Sequence, residues 1–336
     1  MLLTKEHLRG LFPLPKANDS KYSRGVVGLF TGTDEYPGAG VLSVCAAASC
    51  GAGYVRANIP ALAQNAVLAH HPEVVLSASA ENHVNAWVIG SGFAGLYDDE
   101  RSMQIRNILH TLAQYDAYAV VDAGALETFA TLTTLDEDCR ARCVITPHTG
   151  EAQRICKVLG NDISREDIEA DRKSIASWLA RKLQCTVVLK GSPTIVAAHD
   201  FVSQEDIVYE CPVATHWLAT AGTGDILAGI MGAFFALNAN EISAARQKRN
   251  DTNGIDFMSR VVAGAVVIHS YAGGISSNDL GSTQQWLGTS DKGSNECDCH
   301  DNVTAQTYGH NIVLMDMMSA IPESMMDLRI ATSERN

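Results

Sequence analysis

The sequence contains no Gly-Lys pair. That excludes the Walker phosphate loop, which needs a lysine directly after its last glycine. Basic residues are scarce: 25 Lys and Arg stand against 38 Asp and Glu, a net charge of −13. This balance argues against a nucleic-acid or anionic-membrane partner and for a soluble protein. A single nucleotide can still bind, because a local anion hole needs no global positive charge. No apolar run approaches a membrane span; Val261 to Ile268 has the size of a core segment. The start, Met1-Leu2-Leu3-Thr4-Lys5-Glu6, lacks a secretory apolar stretch. The nine cysteines show no framework spacing, and Cys45, Cys50, Cys143 and Cys185 have apolar surroundings. An odd, scattered set fits reduced thiols and a cytoplasmic location. No internal repeat is visible.

What is present is glycine placed between strand-like and helix-like segments. The 336 residues, 46% of them hydrophobic, suffice for a sizeable core. After residues 1–24, read as a lead-in arm, Gly25 to Gly32 is a buried-strand pattern and Val41 to Cys50 a small-residue helix. Tyr54 to Ile59, Glu73 to Ser77, Trp87 to Gly90, Tyr118 to Asp122, Cys143 to Thr146, Thr186 to Lys190 and Thr194 to Ala198 read as strands. Gln104 to Tyr115, Gly150 to Leu159, Glu166 to Leu183, Phe257 to Tyr271 and Ile312 to Met326 read as helices. The alternation predicts an α/β fold, a mostly parallel sheet with helices on both faces, over residues 25–330. Ligands in such sheets bind beyond the carboxyl ends of the strands. Residues 276–309, rich in Ser, Asn, Asp and Gly, break the pattern and read as a flexible insertion. Cys297, Cys299 and His300 fall within it, but their spacing is not a standard zinc pair and no metal is expected there.

The stretch Ala219-Thr220-Ala221-Gly222-Thr223-Gly224-Asp225 directly precedes an apolar helix pattern, Ile226 to Leu237. Gly222 and Gly224 permit a tight turn and a close ligand. The free N–H groups and positive dipole end of the helix make an anion hole from Gly222, Thr223 and Gly224. Asp225 is then either a helix-start residue favoured by the dipole or a base aimed at a substrate hydroxyl. Thr146-Pro147-His148-Thr149-Gly150-Glu151 follows a strand and opens a helix. His148 can cap that helix or contact a ligand, and Glu151 reads as a dipole partner. Lys190-Gly191-Ser192-Pro193-Thr194 joins two strands, as a solvated turn or as a phosphate contact. Gly90-Ser91-Gly92-Phe93-Ala94-Gly95 has dinucleotide-fingerprint spacing, but no helix opens inside it, so it reads as a loop lying against a ligand.

In order, Gly32 with Tyr36-Pro37-Gly38-Ala39, Gly51-Ala52-Gly53, Gly90-Ser91-Gly92, the Thr146 to Glu151 block, Lys190-Gly191-Ser192 and the Ala219 to Asp225 block resemble the signature of the ADP-dependent NAD(P)H-hydrate dehydratases. The resemblance runs from about Lys21 to Tyr271 and resumes from Asn311 to Asp327. It implies a three-layer ribokinase-like fold and a repair lyase. Such an enzyme would dehydrate the S epimer of hydrated NADH or NADPH, with ADP giving AMP and phosphate. It implies Ala39, Gly92, His148 and Asp225 as contacts of the hydrated dinucleotide. Lys190, Gly191, Ser192, Pro193, Thr194 and Gly224 would hold the adenine nucleotide, and Asp225 would be the base. It further implies Mg²⁺ held through phosphates and water, a homo-oligomer (a tetramer), and a separate epimerase. Two segments depart from the family pattern: Pro212 to Leu218 replaces an Asn-Pro-Gly-like turn, and Ser91 with Phe93-Ala94 replaces Pro and Leu-Gly. A small-molecule kinase of the hydroxymethylpyrimidine or thiazole type, which shares the Gly-Thr-Gly-Asp block, and a non-catalytic nucleotide sensor are the alternatives.

Overall fold

The computed structural model describes residues 1–76, 83–95, 100–247, 253–281 and 309–333. A short 3₁₀ turn, Lys5–Leu8, precedes β1 (Val26–Phe30), α1 (Pro37–Ser49), β2 (Tyr54–Asn58), α2 (Ala61–His70), β3 (Val75–Leu76) and β4 (Ala86–Ile89). Then come α3 (Glu100–Thr111), β5 (Tyr118–Val121), α4 (Ala125–Thr131), α5 (Glu137–Arg140), β6 (Cys143–Ile145), α6 (Thr149–Val158), α7 (Arg165–Ala170) and α8 (Arg172–Leu183). The chain closes with β7 (Thr186–Leu189), β8 (Ile195–Asp200), β9 (Glu205–Glu210), α9 (Thr223–Gln247), α10 (Asn253–Ser277) and α11 (Leu314–Thr332).

The strands form one sheet in the order β3-β2-β1-β4-β5-β6-β7-β8-β9. Pairing is parallel from β3 through β7 and antiparallel from β7 to β9. This is the mostly parallel α/β architecture expected. Period-two alternation sends side chains to opposite faces. Tyr118, Val120, Val88 and Val188 join a core with α1, α9, α10 and α11. Ala119, Val121, Ile89 and Leu189 join a second core with α3, α4, α6 and α8. Because β1 pairs with both β2 and β4, strand order reverses there, which opens a crevice at their carboxyl ends.

Glycine sets the depth of α9. A Cβ at Gly229 would lie 2.2 Å from the Ser43 carbonyl oxygen, and one at Gly232 would lie 2.2 Å from a Val88 methyl. The helix therefore rests almost backbone-to-backbone on α1 and the sheet, which fixes where its N-terminus emerges. It runs past the expected end at Leu237 because buried Asn238 satisfies its amide on the Leu11 and Phe234 carbonyls. By length and mean hydropathy α9 could cross a membrane, contrary to the expectation from uninterrupted runs, yet 78% of its most apolar window is buried inside the fold.

Other expectations need correction. The helix expected over Glu166 to Leu183 is two, because Asp171 leaves helical geometry and its carboxylate accepts from the Ser174 N–H to start α8. Helices α2, α4 and α5 and strand β9 add to the elements expected. Residues 1–24 do not form a polar arm: Leu3, Leu8 and Leu11 are fully buried, and the Leu3 N–H donates to Glu210 on edge strand β9. The expected insertion starts inside α10, which ends at Ser277. Residues 282–308, with Cys297, Cys299 and His300, lie outside the described residues.

Candidate active site

Four neighbouring strands turn from apolar to polar at their carboxyl ends, and their first polar side chains meet. Ser91 follows β4, Asp122 follows β5, Thr146 follows β6 and Lys190 follows β7. The Asp122 carboxylate accepts from Ser91 Oγ at 2.9 Å, Thr146 Oγ1 at 2.6 Å and Lys190 Nζ at 2.9 Å. Asp122 is 2% exposed. Burial alone would push its pKa up. The Lys190 charge and the three donors outweigh that and hold it below the usual carboxylate range. Burial likewise pulls the Lys190 ammonium down, but Asp122, Glu151 and Asp225 raise it above the ordinary lysine value.

Across from this cluster, α9 begins. Gly222 has φ +94°, a left-handed conformation that favours glycine. Thr223 Oγ1 donates to the Leu218 and Thr220 carbonyls and holds the loop closed. A Cβ at Gly224 would lie 3.6 Å from Lys190 Nζ, so the anion hole and the ammonium face one another. Burial, then the negative charge of Asp122, push Asp225 up to about 6; Lys190 and Ser91 oppose this and Glu151 adds to it. An aspartate with that proton affinity can exchange a proton near neutral pH.

His148 caps α6. Its Nδ1 accepts from the Gly150 and Glu151 N–H groups, while Glu151 accepts from the His148 N–H at 2.8 Å. The capping reading therefore holds, and the ring is 57% exposed, with Nε2 3.6 Å from Glu151 Oε1. Glu151 is more than a dipole partner: it is buried, 3.7 Å from Lys190 Nζ. The Lys190 N–H donates to Pro147 O at 2.8 Å, which ties the His148 and Lys190 loops side by side. Arg172 braces the latter by donating to the Leu189 and Lys190 carbonyls. A Cβ on Gly191 would stand 2.4 Å from that guanidinium, so any larger residue would have to displace Arg172.

A cleft of about 300 Å³ opens beside these groups, walled by Lys190, Gly191, Ser192, Thr194, Thr223 and Gly224 together with the 212–219 segment and α10. It brings together the expected nucleotide contacts except Pro193, which is not among the cleft-lining residues. His269 lines its floor; Nε2 donates to the Thr223 carbonyl at 2.9 Å, and burial lowers its pKa to about 4. Ala39 and Gly92 meet at the switch point: a Cβ on Gly92 would stand 2.6 Å from that of Ala39. Asp122, Arg172 and His269 were not legible as site residues in the sequence. An aspartate ending an apolar strand was the available signal for the first; the other two come from helices and carry none. Among the described residues no three His, Cys, Asp or Glu side chains converge as a metal cage.

Residues 27–284 match the family model described as NAD(P)H-hydrate dehydratase. A bifunctional NAD(P)H-hydrate repair enzyme of Corynebacterium glutamicum is 35% identical over 278 residues, covering 80% of this chain and 46% of that protein. The chain thus spans about half the length of such relatives. The ADP-dependent (S)-NAD(P)H-hydrate dehydratase of Neisseria meningitidis is 30% identical, covering 73% of this chain and 80% of the relative. The ADP/ATP-dependent NAD(P)H-hydrate dehydratase of Bacillus subtilis, co-crystallised with ATP and Mg²⁺, superposes with a TM-score of 0.66 at 20% identity. That superposition covers 97% of this chain and 98% of the other. The fold is ribokinase-like.

Proposed function

The chain belongs to the NAD(P)H-hydrate dehydratase family, and from that premise we propose that it restores NADH and NADPH from the S epimer of their hydrates, with ADP as phosphoryl donor. The observation that carries this reading is that Lys190 and the open helix N-terminus face one another in one cleft, while Asp225, the residue after Gly224, is raised to about 6 and feels the Lys190 charge. Hydroxide is a poor leaving group and phosphate a good one, so the cleft has two tasks.

In the first, Asp225 takes the proton of the ring hydroxyl as its oxygen attacks the terminal phosphorus of ADP. The bond from that phosphorus to the bridging oxygen breaks, and AMP leaves. Lys190 and the amides of Gly222 to Gly224 offset the charge on the moving phosphoryl group. In the second, the ring carbon–oxygen bond breaks with its electron pair going to phosphate. The neighbouring carbon loses a proton, and the ring double bond returns. Ala39, Gly92 and His148 contact the dinucleotide; Lys190 to Thr194 and Gly224 hold the adenine nucleotide. Magnesium, when bound, neutralises phosphate charge. An epimerase activity supplies the S form, and the proposed setting is a cytoplasmic homo-oligomer, its size to be checked by light scattering.

The test is direct. Hydrated NADPH, ADP and Mg²⁺ are mixed with the protein, and recovery of reduced-nicotinamide absorbance is followed together with AMP and phosphate. Stoichiometric release of all three supports the reading. Consumption of ATP on a vitamin precursor, with no recovery from the hydrate, overturns it in favour of a kinase.

A further inference from the structure

We propose that Asp122 is the positioning residue of this site, anchoring Lys190 where the phosphates of the nucleotide arrive. This rests on the dehydratase reading above. Asp122 never needs to touch substrate to do so. It accepts one hydrogen bond each from the ends of β4, β6 and β7, at 2.9, 2.6 and 2.9 Å, and is itself the end of β5. Four strand ends are therefore registered on one carboxylate. A purely structural tie between Ser91 and Thr146 would need no charge. The partner that demands one is Lys190, whose ammonium lies beside a helix N-terminus of the same sign and has Asp122 nearer, at 2.9 Å, than Glu151, at 3.7 Å.

The charged groups that act on Asp225 are Asp122 from β5, Lys190 from β7 and Glu151 from α6. Lys190 favours the ionised base; Asp122 and Glu151 oppose it, and Asp122 is the stronger of the two. Asp122 thus holds Lys190 where phosphate will arrive and keeps Asp225 basic enough to take a hydroxyl proton. Both effects act through charge, so they separate from a packing role.

The experiment is Asp122→Asn, with aspartate carboxyl ¹³C titration of the full chain, the Asp225 signal being assigned by its loss in Asp225→Asn. The expected result is an Asp225 midpoint lowered by roughly one pH unit, with KM for ADP raised about tenfold. The acid limb of kcat should move down by the same amount. An unmoved KM for ADP in a folded variant overturns the proposal, even if kcat falls. Should the variant not fold, the wild-type titration decides: Asp122 must stay ionised throughout the Asp225 transition, and an Asp122 midpoint above that of Asp225 overturns it. An inactive wild type with the shift intact would count against the dehydratase reading alone.

Discussion

Asp122, at the end of β5, and Asp225, at the start of α9, titrate in opposite directions from an ordinary aspartate. Burial raises both. The strand-end region supplies Asp122 with a lysine and two hydroxyl donors. The helix start supplies Asp225 with a dipole, worth about 0.3–1 kcal/mol; Lys190 and Ser91 oppose its rise only in part, Lys190 being engaged at 2.9 Å by Asp122. A charge in a protein is held by the donors aimed at it, and one lysine cannot serve two carboxylates equally. The strand-end region invests in order, the helix start in proton affinity.

Replacing each group should separate the two regions. The largest effect expected is from Asp225→Asn, a loss of at least about 100-fold in kcat with ADP affinity nearly unchanged by calorimetry. Near-normal turnover in that variant would remove Asp225 as the base. Next is Lys190→Met, which strands Asp122 without its counter-charge. At pH 7 it should cost about 2–4 kcal/mol in denaturant unfolding, and ADP binding should weaken. The sign with pH follows from the lowered Asp122 value. Its stabilisation is present above the unfolded value of 3.8 and is lost as pH falls through the lower folded value. The penalty of the variant should therefore shrink in acid; a penalty independent of pH would mean that Lys190 contributes packing only.

A smaller effect is the acid limb of kcat in the wild type, expected near the Asp225 value of about 6. A limb near 4 would show that the helix start does not hold the base. The smallest is a gain. The folded Asp225 binds its proton more tightly, at about 6, than the unfolded chain does at 3.8. The stability linked to it is complete below 3.8 and lost as pH rises through 6. Asp225→Asn should therefore be more stable than wild type by about 1–2 kcal/mol at pH 8 and equal to it near pH 3. Equal melting temperatures at pH 8 would show that Asp225 is not strained.

Part of the site is legible in the sequence, and what is legible there has a common cause. Gly222, Gly92 and the Lys190-Gly191 turn stand where local backbone geometry demands glycine, at strand ends and at a helix start. Asp225 was found because it shares that local context. His148 was read in two ways, and its cap is a bond within three residues. Asp122 has no local mark beyond ending a strand, and its partners lie 24, 31 and 68 residues away. Arg172 and His269 reach the loops from helices whose sequence patterns specify only a buried face. The true length of α9 escaped because Asn238 looks like a break until its carbonyl partners are placed.

The order of strands and helices, the apolar strand bodies and the anion-binding turn before Ile226 were determined by the chain itself, since each follows from periodicity or from a dihedral angle that few residues tolerate. Which acid is held ionised and which binds its proton more tightly was decided only by the tertiary structure. Coulombic attraction and hydrogen bonding depend on separation in space, and folding alone brings residues 91, 122, 146, 190 and 225 together.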